Sequence, residues 1–107
     1  MNKHGEIHVT CGSRGEAVQI ADALIARRLA ACVHLAPIDS VYEWKGVVEH
    51  DEEISLNAKT RSALFDRIAA VIDELHGYDL PAITMTPMSG SPDYLAWIDE
   101  QTTPPTE

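Results

Sequence analysis

The sequence predicts an α+β fold in the order strand, helix, strand, strand, helix, strand, with a short helix after them, and three observations carry that prediction. Residues 31–60, ACVHLAPIDSVYEWKGVVEHDEEISLNAKT, read as two long strands joined at Lys45 and Gly46. Residues 5–11 alternate apolar and polar positions, as do 83–86, and alternation of period two marks a strand half-buried on one face. Between the strands lie two stretches whose apolar residues recur at helical spacing.

In the first strand Ile7, Val9 and Cys11 point one way and Glu6, His8 and Thr10 the other. It ends at Gly12. Ser13 followed by Glu16 has the S-x-x-E spacing of a capping box, in which each side chain satisfies a free backbone N–H at a helix start. Ala17, Ile20, Ala21 and Leu24 then form an apolar stripe, and Arg27 and Arg28 are expected in the last turn, with the helix ending near Leu29 or Ala30.

The long hairpin follows. Its first strand carries Val33, Val41, Tyr42 and Trp44, and is interrupted at Ala36 and Pro37, where a proline marks a bulge, a bend or an edge position. Its second alternates Ile54, Leu56 and Ala58 with Glu53, Ser55, Asn57 and Lys59. At the tip, Gly46 is free to take a positive φ, and Tyr42, Trp44, Val47 and Val48 form an apolar arm that either folds back onto its own sheet or serves as an interface. The acidic run from Glu49 to Glu53, with His50 inside it, reads as a solvated strand entry.

Leu64, Ile68, Ile72 and Leu75 make the stripe of a second helix, flanked by Phe65 and Val71, and Gly77 is expected to end it in a left-handed conformation. The fourth strand follows Pro81 and stops at Pro87, with Ile83 and Met85 opposite Thr84 and Thr86. Ser91 is read as the cap of a terminal helix opened by Pro92, which carries Tyr94, Leu95, Trp97 and Ile98. The segment QTTPPTE reads as a frayed tail, and the single domain 1–107 is expected to fray over 1–4 and 102–107.

This order is the split βαβ arrangement of a ferredoxin-like sandwich. The sheet face turned away from the helices would carry Thr10, Ser55, Asn57, Lys59, Thr84 and Thr86, which are polar but lightly charged. Such a face suits a wet interior between subunits, and it lacks the stacking aromatics of an RNA-recognition sheet.

Composition narrows the function. Net charge is −9, with 8 Lys and Arg against 17 Asp and Glu, which repels a phosphate backbone and argues against nucleic acid as a partner. No apolar run has the length of a membrane span, and residues 1–9 have no signal-peptide pattern, so a cytoplasmic protein without membrane contact is expected. Cys11 and Cys32 lack C-x-x-C spacing, and the topology puts them at opposite ends of the sheet, about 20 Å apart and beyond disulfide reach. Walker, nucleophile-elbow and zinc-peptidase motifs are absent, and no enzyme is expected.

Five segments, RLAACV at 28–33, YEWKG at 42–46, the strand ending in Lys59 and Thr60, HGYDLP at 76–81 and YLAW at 94–97, occur in an order and spacing that resemble the divalent-cation tolerance proteins, the CutA family. The resemblance implies a homotrimer, similar in assembly to the PII signal proteins, in which long hairpins reach between subunits. It also implies binding of copper or another divalent cation and a role in the response to metal ions. Against the family pattern, His34 stands where asparagine is common, Gly77 stands where proline usually follows the histidine, and a third cysteine of some relatives is absent.

The candidate ligands are Cys11, His76 and Cys32; thiol and imidazole together suit copper. Topology puts Cys11 and His76 at one end of the subunit, leaving Cys32 to join only across an interface. Cys11 packing as a small apolar core residue is the competing reading. A second function class is a PII-like sensor or interaction module whose intersubunit cleft, with Lys59, Tyr42, Trp44 and Tyr78, takes a small anionic ligand or a partner peptide.

Overall fold

A computed structural model describes residues 3–104. Strands β1 (His4–Cys11), β2 (Cys32–Trp44), β3 (Val47–Arg61) and β4 (Ile83–Pro87) form one sheet in the order β2-β3-β1-β4, with every neighbouring pair antiparallel. Helices α1 (Arg14–Ala26) and α2 (Phe65–Leu75) complete the two split βαβ units, and α3 (Pro92–Gln101) follows β4. The predicted order of elements is the observed one.

One sheet face is apolar because the strands alternate in register. Ile7 pairs with Ala58 and Met85, and Val9 with Leu56 and Ile83, so these side chains share a face. They pack on Ala17, Ile20 and Leu24 of α1 and on Ile68, Val71 and Ile72 of α2, forming one buried core that includes Cys11. The other face carries the polar rows expected of it, such as His34, Asn57, His8 and Thr84 across the four strands. Helix α3 lies over one end of that face, where His4 Nε2 meets Asp99 Oδ1 at 2.7 Å and Arg61 Nε donates to Thr102 Oγ1 at 2.9 Å.

Strands of 13 and 15 residues at ~3.3 Å each reach roughly 43 to 50 Å, which matches the 50 Å long dimension of a body only 26 × 21 Å across. The hairpin is therefore the length of the whole molecule. Lys45 (φ 51°) and Gly46 (φ 84°) are both left-handed, and this two-residue turn matches the twist of the flanking strands. Pro37 pairs with Ile54 without a break in register, so of its three readings the edge position holds, on the open side of β2.

Four local expectations are corrected. Helix α1 stops at Ala26, before the arginines, because Arg28 turns left-handed (φ 57°) and the Leu29 N–H reaches back to the Leu24 carbonyl. Arg28 then donates from Nη2 to Glu100 O at 2.6 Å and from Nε to Thr103 O at 2.8 Å, capping the carbonyl end of α3 instead of its own helix. Gly77 is not left-handed; α2 ends one residue earlier, where His76 becomes extended (φ −84°, ψ 140°). Ser91 stands at the start of α3 but its side chain makes no capping bond.

The ends also differ from expectation. His4 lies in β1 and Thr102 follows α3, and both are buried by the contacts just described. Residues 1, 2 and 105–107 of the expected frayed ends lie outside the described residues.

Candidate metal centre

Three elements converge at the C-terminal end of β1. Cys11 is the last residue of that strand, Glu16 lies in the first turn of α1, and His76 follows α2. One donor atom from each, the Cys11 Sγ, a Glu16 carboxylate oxygen and a His76 ring nitrogen, lies within 4.8 Å of the others. Topology places Cys11 and His76 at one end of the subunit, and the chain brings them together there.

His76 is held from both ring nitrogens. Its side chain is fully buried. Nδ1 accepts from the Tyr78 N–H at 3.1 Å, which leaves Nε2 to carry the proton and donate to the Thr10 carbonyl at 2.7 Å. The reason lies in the sheet: β4 reaches only as far as Val9 on β1, and one residue further the Thr10 carbonyl takes its hydrogen bond from the imidazole. The Tyr78 ring closes the other side, edge-on at 4.7 Å between centroids.

Glu16 is a ligand candidate that sequence reasoning misses. Only half of the expected capping box forms: Ser13 Oγ accepts from the Glu16 N–H at 3.2 Å. The Glu16 carboxylate does not return to Ser13. Its Oε2 accepts from the Gly77 N–H at 3.1 Å, and its Oε1 lies 3.7 Å from His76 Nε2, buried and without a hydrogen bond. Here the glycine at the position usual for proline has a specific consequence, since a proline would offer no N–H to hold that carboxylate.

The Cys11 thiol is pushed up to about 11, first by burial and then by the negative charge of Glu16 and Glu53. It is therefore protonated at neutral pH, and a metal must displace its proton. Cys11 is at the same time a core residue, in contact with the cluster around Ile7 and Val9. The apolar packing and the proximity to His76 coexist.

Cys32 is elsewhere. It pairs with Lys59, whereas Cys11 pairs with Ile54, five residues away on the strand between them, so the two cysteines point to opposite faces. Five residues at ~3.3 Å and two strand spacings of ~4.8 Å separate their Cα atoms by roughly 19 Å, against the ~4.4 to 6.8 Å of a disulfide. Both are free. Cys32 Sγ instead lies 3.5 Å from His34 Nε2 on the open face.

Of the four residues expected to share a cleft, Tyr42, Trp44 and Tyr78 line one cavity of about 680 Å³ beside the hairpin. Lys59 does not line it. It is six residues beyond Glu53 on β3, ~20 Å along the strand, and its Nζ sits 5.4 Å over the Tyr94 ring of α3. Glu53 and Asp79 line the cavity of the single chain.

The family model described as CutA1 divalent ion tolerance protein matches residues 6–101. The chain belongs to that family. It is 38% identical over 98 residues to the divalent-cation tolerance protein CutA of Archaeoglobus fulgidus, covering 91% of this chain and 96% of that one. The solved structure of the A. fulgidus protein, described as periplasmic, superposes with a TM-score of 0.92 at 37% identity, over 94% of this chain and 99% of that chain. The divalent cation tolerance protein of Thermus thermophilus superposes at 0.90 with 36% identity, over 94% and 99%. Mouse protein CutA is 40% identical over 96 residues, which cover 88% of this chain but 54% of the mouse protein, so the chain spans about half the length of that relative. Among the described residues of this CutA-family chain, no helix is long and apolar enough to cross a membrane.

Proposed function

We propose that this chain is a non-catalytic subunit of a homotrimer that serves in divalent-cation tolerance by binding copper or another divalent metal ion through Cys11, Glu16 and His76. One observation carries the reading: a thiol, an imidazole and a carboxylate lie within 4.8 Å of one another, and the Glu16 Oε1, 3.7 Å from His76 Nε2, is buried without a hydrogen bond. A buried carboxylate oxygen without a donor is costly unless something positive meets it. The donor types fit a borderline or soft ion such as copper or zinc.

Binding has a protonic condition. The Cys11 thiol must lose its proton, and His76 must give up the Nε2–H···O bond to Thr10 or rotate away from Tyr78. Affinity should therefore rise with pH through the neutral range. The proposed setting is a reducing compartment such as the cytoplasm, where the Cys11 thiol stays available to a metal.

The test is thermal unfolding in the presence of copper, zinc, and a panel of nucleotides and carboxylates. A metal at about 100 times its Kd stabilises by ~2.7 kcal/mol, and the melting temperature should rise with metal alone. A rise with a nucleotide or carboxylate and none with metal would contradict the proposal and favour a ligand sensor.

A further inference from the structure

We propose that Tyr78 couples the metal centre to the hairpin: in the metal-free chain it ties the His76 ring to Glu53 of β3, and coordination through His76 releases that tie. The inference rests on the metal reading above and names the part of the chain that responds to it. Three successive residues after α2 are bound to three different elements. His76 Nε2–H donates to the Thr10 carbonyl of β1 at 2.7 Å, the Gly77 N–H to Glu16 Oε2 of α1 at 3.1 Å, and the Tyr78 hydroxyl to Glu53 Oε2 of β3 at 2.8 Å. Of the three, Tyr78 holds both ends of the link, since its own N–H donates to His76 Nδ1 at 3.1 Å.

The chemistry of imidazole decides which of these bonds coordination must break. A neutral imidazole carries one ring proton, and here the two hydrogen bonds place it on Nε2. Nε2 is also the nitrogen that faces the Glu16 carboxylate, 3.7 Å from Oε1. If Nε2 becomes the ligand, the ring proton belongs on Nδ1, where it meets the Tyr78 N–H donor against donor. If the ring turns to offer Nδ1 instead, the Tyr78 N–H loses its acceptor. Both routes end the bond to Tyr78, whereas the Gly77 N–H can keep Glu16 Oε2 in either. The Tyr78 ring has little room to absorb the change: it stands edge-on to His76 at 4.7 Å between centroids, and it lies so close to Gly12 that a Cβ there would be 3.2 Å from its Cε1 and its hydroxyl oxygen. A ring confined on two sides moves with its backbone, and the movement reaches the hydroxyl. Its acceptor Glu53 is buried and pairs with Ile38 of β2, so the far end of the link is anchored in the long hairpin. Every one of these bonds lies within a single chain, and the link needs no open cavity.

The experiment is calorimetric titration of zinc into the reduced full chain, in its own assembly state, for the wild type, Cys11→Ser, Tyr78→Phe and Glu53→Gln, with hydrogen exchange of the Tyr78 amide followed by NMR. A bond made only in the metal-free chain opposes binding, so its removal tightens zinc by the worth of the bond. Tyr78→Phe keeps the ring and loses the hydroxyl, and should bind zinc about 10-fold more tightly, the equivalent of a hydrogen bond worth ~1.4 kcal/mol, even though the metal-free variant melts at a lower temperature. Damage to packing alone would weaken zinc. Glu53→Gln keeps an acceptor for the hydroxyl and should fall between the wild type and Tyr78→Phe. In the wild type, zinc should speed exchange of the Tyr78 amide. Zinc binding that is lost in Cys11→Ser but equal or weaker in a folded Tyr78→Phe chain, or a Tyr78 amide that exchanges no faster with zinc bound, would overturn the coupling and leave the metal centre standing. No saturable zinc binding by the wild type would remove the metal centre and the coupling with it.

Discussion

His76→Ala is expected to destabilise the chain by about 3 kcal/mol in chemical denaturation, because it removes a packed ring and two hydrogen bonds together. The ring is fully buried against Tyr78, and its loss strands the Thr10 carbonyl and the Tyr78 N–H at a position with no strand to replace it. His76→Gln separates the contributions. Its amide N–H can still reach the Thr10 carbonyl, so it should recover roughly 1 kcal/mol, the usual worth of one hydrogen bond. If alanine costs less than about 1 kcal/mol, the imidazole is not the clasp between β1 and the end of α2, and its burial has another cause.

Trp44→Ala is expected to weaken assembly by on the order of 2 kcal/mol per interface or more, the effect of removing a buried aromatic anchor. In the single chain Val41 is 65% exposed, Val47 57% and Val48 60%, beside Tyr42 and Trp44. A long apolar arm of this kind calls for a partner. Light scattering of the wild-type chain should give three subunits, and of Trp44→Ala a concentration-dependent mixture of three and one. A wild-type chain that stays monomeric at high concentration would remove the hairpin as an assembly element.

The alternation of Ile54, Leu56 and Ala58 and of Ile7, Val9 and Cys11 is enough to assign strands and their core face, since a slip of one residue would turn each set into solvent, whereas the residue-by-residue pairing is read only from the structure. The placement of Cys11 with His76, and of Cys32 apart from both, follows from that topology. Glu16 is not legible because S-x-x-E has a complete local explanation, whereas its carboxylate is taken by Gly77, 61 positions away. Arg28 is misread for a similar reason: a positive charge near a helix end fits the helix dipole, but the side chain serves α3. Within one chain Lys59 and Tyr42 are kept apart by the length of β3, so any cleft they share has to be built from two subunits. Local pattern sets the elements and their faces, and contacts between distant segments decide which polar side chains meet.

The most direct test of metal binding is titration of copper into the reduced chain while the thiolate-to-metal charge-transfer band is followed, in the wild type and in Cys11→Ser, Glu16→Gln, His76→Gln and Cys32→Ser. The wild type should develop the band, more tightly as pH rises, because the Cys11 proton held at about 11 must be released. Cys11→Ser should abolish it, Glu16→Gln and His76→Gln should weaken copper roughly 10-fold or more, and Cys32→Ser should leave it unchanged. A band lost in Cys32→Ser alone, with the other three variants behaving as wild type, would put the metal on the opposite face and the opposite end of the sheet and contradict a site at Cys11, Glu16 and His76.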